Sequence, residues 1–245
     1  MKRALWITVA GLIVFAAILV VRLPASWVIP SGPKAPFSCA SIDGSLWSGA
    51  CNGLIVQRLP LGDLAWDLLP GRLFSAKLAA HLTLSRADAH LSTDAELGFG
   101  ERISARNLVA DLPLERQLLP GLPPTLHGRA HLDLALAQLT RGALTQLKGT
   151  IEAHDLVDRA GNVTPLGSYA VSFPGSEGEQ VGQLRDLDGP LSVSGTLKLT
   201  PQGGYEVEGV VAPRSGASPE LVNNMRYLGT PDASGRRTFS LSGTF

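Results

Sequence analysis

Hydrophobic and polar residues alternate one by one along most of the chain after residue 70. The apolar members of the first two runs are Phe74, Ala76, Leu78, Ala80, Leu82 and Leu84, then Ala87, Ala89, Leu91, Ala95, Leu97 and Phe99. The same period returns over residues 126–136, 147–157, 169–173, 191–199, 205–211 and 239–245. Because successive side chains of a strand point to opposite faces, this pattern is typical of strands with one buried and one solvated face. We therefore predict an all-β protein.

Turn-forming residues separate the runs, for example at Pro174-Gly175, Asp188-Gly189-Pro190 and Ser234-Gly235. Helical patterns of about 10–15 residues do not recur between the runs, which argues against a parallel βαβ sheet. We therefore predict an antiparallel β-sheet domain, built as a sandwich or as an open groove. The proline-rich loop at 112–124 is a candidate boundary between two subdomains.

One short helix is predicted at residues 218–228. Ser218 is a suitable N-cap, because its hydroxyl can accept a hydrogen bond from an unpaired N–H of the first turn. Pro219 suits the first helical position, Glu220 suits the first turn, and Gly229 suits the C-terminal end.

The N-terminus follows a different pattern, because residues 4–21 contain no charge. As a helix this run would be about 27 Å long, close to the ~30 Å hydrocarbon core of a membrane. One alternative is a cleaved signal peptide, whose apolar region normally spans about 7–15 residues. The other is a buried core helix, which is not normally apolar on every face. The length of the run, Arg22 directly after it and the poor cleavage match at Leu23-Pro24-Ala25 favour an uncleaved single transmembrane helix.

Charge predicts the orientation of this helix. Lys2 and Arg3 lie on the short N-terminal side, which the positive-inside rule assigns to the cytoplasm. Trp6 and Trp27 fall near the two ends of the span, as interfacial aromatic residues do. The predicted parts are a cytoplasmic stub with the signal-anchor (1–22), a proline-rich linker (23–36) and a periplasmic β domain (37–245). The predicted location is therefore a bacterial cell inner membrane, with most of the chain in the periplasm.

The composition of the chain mainly excludes classes of protein. The chain has 21 acidic and 21 basic residues, so it has no basic field that would attract nucleic acid. Charged residues make up only 17 %, while there are 27 glycines and 17 prolines. This balance is typical of a turn-rich β protein.

The two cysteines, Cys39 and Cys51, flank a hairpin-turn signal at Asp43-Gly44. Two strands that meet across this turn could bring the two sulfur atoms together. The oxidising setting outside the cytoplasm favours a disulfide, and the alternative is a pair of small buried thiols.

Candidate chemistry is sparse. His127 and His131 share one face of a strand, but about 13 Å separates them, which is too far for one zinc ion. Asp63 and Asp67 flank Trp66 and could be proposed as an acid–base pair, although solvated ends of a strand explain them better. The sequence has no P-loop, Rossmann fingerprint, G-x-S-x-G elbow or H-E-x-x-H motif. We predict no catalytic, cofactor or metal site, and hence a protein that is not an enzyme.

Three segments carry a family resemblance. They are Asp43-Gly44-Ser45-Leu46-Trp47-Ser48-Gly49, Leu64-Ala65-Trp66-Asp67-Leu68-Leu69-Pro70, and the stretch 228–243 that includes Gly235-Arg236. In this order, behind a signal-anchor, they resemble the type II secretion system protein N family, whose Leu-x-Trp-x-Leu-x-Pro stretch the second segment matches. The middle of the chain, about 75–215, is similar only in its β character.

The resemblance implies a non-enzymatic accessory component of the inner membrane, which assists the export of folded proteins across the outer membrane. Its role would be assembly or bridging, and its partners would be other inner-membrane subunits of the secretion platform. Trp47 and Trp66 are candidate anchors for a sheet edge or a partner, and the alternative is that both belong to the core.

A second hypothesis fits the same pattern. A long β domain with one apolar face, attached to an inner-membrane helix, also describes a periplasmic lipid carrier with an open β groove. In that alternative the apolar face would hold acyl chains instead of packing against a second sheet.

Overall fold

The computed structural model describes Gly11 and residues 22–28, 37–116, 123–201 and 203–244. Apart from Gly11, the predicted transmembrane helix at 4–21 lies outside the described residues, as does the linker segment 29–36. Both therefore stay predictions. Within the described ranges, none of the helices has the length and apolar character needed to cross a membrane.

The first of two compact units runs from Met1 to Ala87. Its described elements are α1 (Ala25–Val28), β1 (Phe37–Ser38), β2 (Ser41–Gly44), β3 (Ser48–Val56), β4 (Leu59–Leu68), the 3₁₀ helix η1 (Pro70–Ser75) and β5 (Leu78–Arg86). The strands pair antiparallel in the order β1-β3-β4-β5, and β2 also pairs with β3. Their buried core is a cluster of Ala25, Cys51, Leu54 and Trp66.

The second unit runs from Asp88 to Phe245. Its described elements are β6 (Ala89–Gly98), β7 (Arg102–Pro113), β8 (Leu126–Thr140), β9 (Ala143–Asp158), β10 (Thr164–Glu177), β11 (Gln180–Asp188), β12 (Leu191–Leu199), β13 (Gly204–Pro213), α2 (Pro219–Asn224), the 3₁₀ helix η2 (Met225–Leu228) and β14 (Arg237–Thr244). Each strand from β6 to β14 pairs antiparallel with the next along the chain. The prediction of an all-β antiparallel fold is confirmed.

The apolar register of the second unit forms two buried clusters. Leu134, Leu147 and Phe173 make up the first, on β8, β9 and β10. The second joins Val193 and Val211, which face each other across β12 and β13, to Met225 of η2. The connection between β13 and β14 therefore covers part of the sheet with a helical segment.

This helical segment confirms the predicted C-terminal helix. The hydroxyl of Ser218 accepts a hydrogen bond from the backbone N–H of Leu221 at 3.2 Å, as an N-cap should. Pro219 occupies the first turn, and the 3₁₀ helix that follows ends at Leu228, directly before Gly229.

The alternating run that was predicted to begin at Phe74 begins later. Residues 70–75 form the 3₁₀ helix η1, and Ala76 ends it in the left-handed region with φ 52°. Pro70 suits this start, because its fixed φ and missing N–H are compatible with a first helical turn. The strand interpretation was therefore wrong for 74–76, and β5 begins at Leu78.

The loop at 112–124 does not separate the two compact units. The division lies at Ala87 and Asp88. On either side of the loop, β7 and β8 are paired from Arg102–Thr140 to Pro113–Arg129. The second unit thus continues through this loop.

Candidate functional site

Unit 1 carries the cysteine pair on a short hairpin. Cys39 follows β1, and Cys51 lies in β3 directly opposite Ile42 of β2. The turn closes where the N–H of Ser45 donates to the carbonyl oxygen of Ser48 at 2.9 Å. The two sulfur atoms are bonded, and the Cα atoms of the two cysteines lie 5.4 Å apart, within the range that a disulfide requires.

Removing this bond should destabilise unit 1. A disulfide that closes a loop of this length constrains the unfolded chain by about 3 kcal/mol. We expect the Cys39→Ser/Cys51→Ser variant of the full chain to unfold at lower urea concentration than the oxidised wild type. Reductant should lower the midpoint of the wild type and leave that of the variant unchanged. Equal midpoints for wild type and variant would contradict the expectation.

Trp66 lies at the centre of the same unit. Its ring is buried, and its Nε1–H donates to the carbonyl oxygen of Leu46 at 3.1 Å. The ring lies over Gly49, directly opposite on β3, because a Cβ on that residue would lie 2.5 Å from Cζ2 of the tryptophan. Trp47 is only half-buried. The two candidate anchors therefore differ: Trp66 contributes to the core, and Trp47 is the more accessible.

An apolar cavity of about 310 Å³ adjoins Trp66. Its lining consists of Phe37, Cys39, Cys51, Leu54, Val56, Leu64 and Trp66. A lining of apolar side chains accepts apolar groups. The cavity lies entirely within unit 1, beside the disulfide.

The aspartates near Trp66 have structural contacts. Asp63 accepts a hydrogen bond from the backbone N–H of Gly53 at 2.7 Å, where the register between β3 and β4 shifts. Asp67 lies opposite Ser48 on one side and His81 on the other. Asp63 thus supports the strand pairing in which it lies.

Two histidines of unit 2 each contact a single carboxylate. Nδ1 of His131 lies 2.9 Å from Asp111 on the neighbouring strand, and Nε2 of His154 lies 2.8 Å from Glu152. Throughout the described ranges, groups of three or more His, Cys, Asp or Glu residues suited to one metal ion are not found.

The carboxylate of Asp186 in unit 2 is held by two hydrogen bonds. It accepts a hydrogen bond from the backbone N–H of Val193 at 2.7 Å and a second from the guanidinium of Arg214. Desolvation raises the pKa of Asp186, but these hydrogen bonds and the charge of Arg214 outweigh it and hold the pKa below its usual value. Burial, and then the charge of Asp186, raises the pKa of the nearby Tyr169.

This arrangement makes part of the stability of unit 2 depend on pH. A carboxylate with a lowered folded pKa stabilises the fold above its unfolded pKa near 3.8, and loses this effect as pH falls through the folded value. Replacing Asp186 with Asn keeps an oxygen for Val193 but removes the charge. We expect the variant to lose about 1.5–3 kcal/mol at neutral pH and much less at acid pH. Urea unfolding at both pH values measures this, with Asp188→Asn as the exposed control; an equal loss at both would contradict it.

An apolar row crosses one end of unit 2. Leu97 faces Ile103, Ile103 faces Leu139, and Leu139 faces Leu144, so one row spans the four strands β6 to β9. Leu97 and Ile103 are half exposed. At the other end of the row, a pocket of about 480 Å³ is lined by Leu139, Arg141, Gly142, Ala143, Leu144, Leu199, Thr200, Pro201 and Gly203. We call these residues, with Leu97 and Ile103, the end row.

Two features of unit 2 could not be predicted from the sequence pattern: the buried side chain of Gln180 and the exposed residues of the end row. Gln180 is only 1 % exposed, and its side chain contacts four backbone groups: two of β9, one at the end of β10 and one in the turn before β11. Leu97 of the end row belongs to an alternating apolar run like those that supply buried residues, so the pattern does not reveal its exposure. A polar residue next to the Gly178 turn was the only available signal for Gln180, and it is equally common at exposed positions.

The described residues therefore define a class of protein: an antiparallel β meander in two compact units, with apolar cavities and a bonded cysteine pair. The family described as "Type II secretion system (T2SS), protein N" matches residues 35–240. The chain belongs to this family. It is a member of a component family of the secretion machinery, as the resemblance in the three segments had indicated.

Two relatives match over nearly their whole length. The "Type II secretion system protein N" of Aeromonas hydrophila is 25 % identical over 246 residues, which cover 96 % of each chain. The protein of the same name from Vibrio cholerae serotype O1 is 26 % identical over 252 residues, which cover 99 % of each chain. No solved structure matches this chain.

Proposed function

We propose that this protein is a non-enzymatic accessory component of the type II secretion machinery, with an assembly or bridging role at the inner membrane. The observation that carries the proposal is the family match over residues 35–240, together with relatives that align end to end. Membership of a secretion-system family implies contact with other subunits of that system. The partners proposed here are the inner-membrane platform subunits.

The proposed location combines the apolar run 4–21 with the charges before it. Lys2 and Arg3 favour a cytoplasmic N-terminus, which would leave residues 37–245 in the periplasm. The bonded pair Cys39–Cys51 is compatible with this compartment, because disulfides persist in the oxidising periplasm.

Exposed aromatic residues offer positions from which to capture the partners. Phe99 lies in the turn between β6 and β7, and Tyr227 lies in η2; both side chains are largely exposed. A photo-crosslinking amino acid at either position, in the full chain in cells, should yield adducts with platform subunits. Cells that lack those subunits provide the control.

Deleting the gene should reduce both the assembled platform and the export of folded proteins. Normal assembly and export in the deletion strain would contradict the proposed role.

The end row favours a second candidate function, the periplasmic lipid carrier. Leu97 and Ile103 leave apolar surface of the sheet accessible, and the adjoining pocket is within the size range of ligand sites. Arg141 at this pocket could pair with an anionic headgroup, while the leucines would contact the acyl chain.

A photoactivatable phospholipid tests the carrier hypothesis. It should label the full chain, and Leu139→Asp or Leu144→Asp should abolish the labelling. Val109→Asp is the matched control, because Val109 is also partly exposed but alternates with Leu108, which packs against the core. Labelling that is equal in all three variants would count against a lipid site at the end row.

A further inference from the structure

The chain enters unit 1 at one particular end of its sheet. The backbone N–H of Leu46 donates to the carbonyl oxygen of Leu23 at 2.9 Å, and Pro24 forms an isolated bridge with Ser45. Ala25 is fully buried in the core cluster. The residues directly after the apolar run 4–21 are therefore held against the turn between β2 and β3.

The connection between β4 and β5 lies at the same end. The N–H of Leu68, the last residue of β4, donates to the carbonyl oxygen of Trp47 in that turn at 2.6 Å. From there the chain continues through η1 to Leu78, and Leu68 faces Ala80 across the two strands. We call the segments 22–28, 45–47 and 69–78 together the entry end of unit 1.

Apolar side chains are unusually accessible at the entry end. Leu69, Leu73 and Leu78 are each close to half exposed, and Trp27 is 80 % exposed. Three leucines on one short connection are more than the scattered apolar residues of an ordinary surface, and grouped exposure of this kind marks a contact with a partner or a membrane. Tryptophan is the residue typical of the membrane–water interface.

Basic residues outnumber acidic ones at the entry end. Its segments contain Arg22, Arg72 and Lys77 and no Asp or Glu, and the nearest acidic residues along the chain are Asp43 of β2 and Asp67 of β4. A surface of exposed leucines and a tryptophan with basic residues among them is complementary to anionic phospholipid, whose headgroups attract Lys and Arg while its acyl region accepts apolar side chains.

We propose that the entry end of unit 1 rests on the membrane surface, with Leu69, Leu73 and Leu78 in the interfacial layer and Arg72 and Lys77 at anionic phosphate groups. This inference rests on the proposed inner-membrane location, because the run 4–21 would leave the bilayer directly before Arg22. The proposal adds an orientation to the anchoring by the helix. The entry end of unit 1 would lie on the lipid surface, and the opposite end of the same sheet would point away from it.

Ile55 supplies a matched control position at that opposite end. It is 41 % exposed, against 45 % for Leu73, and it lies next to the turn between β3 and β4. A strand as long as β4 spans about 30 Å, so a membrane surface that contacts Leu73 is far from Ile55.

Fluorescence quenching in lipid nanodiscs tests the proposal. A genetically encoded fluorescent amino acid is placed at position 73 or 55 of the full chain, which is reconstituted in phosphatidylcholine nanodiscs with or without phosphatidylglycerol. Brominated lipids in the disc should quench the probe at 73 several-fold more strongly than the probe at 55. Arg72→Gln and Lys77→Gln should each lower the equilibrium constant for docking about fivefold in anionic discs, from roughly 1 kcal/mol per basic residue. Unchanged thermal unfolding of each variant shows that it is folded.

The other outcomes separate this inference from the proposed function. If the chain stays in the disc but the probes at 73 and 55 are quenched equally, the contact is absent while the anchor stands. If the chain does not associate with the disc at all, the membrane location and the contact fail together. A photo-crosslinker at position 73 that captures a protein instead of lipid in cells would also overturn the proposal, because a subunit would then cover the entry end.

Discussion

Replacing Trp66 with Ala is expected to lower the free energy of unfolding of unit 1 by about 3–5 kcal/mol. The ring is buried among Cys51 and Leu54, and its Nε1–H satisfies the carbonyl oxygen of Leu46. Truncation would enlarge the existing cavity of about 310 Å³, because Trp66 forms part of its wall. The lost stability therefore has three sources: the transfer free energy of the deleted ring, the enlarged void, and the carbonyl oxygen of Leu46 left without its donor.

Pulse proteolysis of the full chain in urea measures this effect. Trp47→Ala is the matched control: Trp47 is half-buried in the same unit, so its replacement should cost less than half as much. The free energy lost in Trp66→Phe should lie between the losses for Trp66→Ala and Trp47→Ala, because phenylalanine keeps an aromatic ring but cannot make the hydrogen bond. If Trp66→Ala left the stability unchanged but abolished crosslinking to a platform subunit, Trp66 would be a partner anchor and its core role would be wrong.

The second large effect is expected for Gln180→Leu, which should lower the free energy of unfolding of unit 2 by about 4 kcal/mol. The Oε1 atom of Gln180 accepts from the N–H of Leu147 at 2.7 Å, and Nε2 lies 3.1, 3.0 and 2.6 Å from the carbonyl oxygens of Thr145, Ser176 and Gly178. Leucine can satisfy none of these groups, and each buried polar group without a partner costs about 1–3 kcal/mol.

The unfolding midpoint of unit 2 and the hydrogen exchange of the Leu147 amide report this loss together. Gln183→Leu is the control, since Gln183 is an exposed glutamine of the same strand, and it should shift stability by no more than about 0.5 kcal/mol. Protection of the Leu147 amide that survives in Gln180→Leu would show that the network does not stabilise this part of the sheet.

Local patterns in the sequence predicted the features that depend on local chemistry. The strands could be predicted because one face of the meander is solvated, so the apolar period is visible in the order of residues. The cap at Ser218 was readable because every group involved lies within a few positions of the others. The hairpin was predicted as well, but its turn lies at residues 45–47, because Asp43 and Gly44 end β2 and pair with β3. The disulfide partners share that hairpin, which is why their pairing could be proposed.

Features that depend on what covers a residue could not be predicted in the same way. Leu97 and Leu134 both belong to alternating apolar runs, yet the first is half exposed and the second is buried. Glu96 occupies a polar position between Ala95 and Leu97 of the alternating run, yet it is buried, and its carboxylate lies 3.9 Å from Arg106. The unit division at Ala87 and Asp88 falls in a short turn between strands, without the proline-rich composition that marks the loop at 112–124.

The consecutive pairing of strands in unit 2 has a consequence for how the chain folds. Since consecutive strands from β6 to β14 are paired, every hairpin needs only the segment that has just been synthesised. Loop-closure entropy is small for such neighbours, and contacts between nearby residues form quickly. The sheet can therefore grow by one strand at a time as the chain emerges. The next strand of the same chain reaches the exposed edge before a strand of another protein can pair with it.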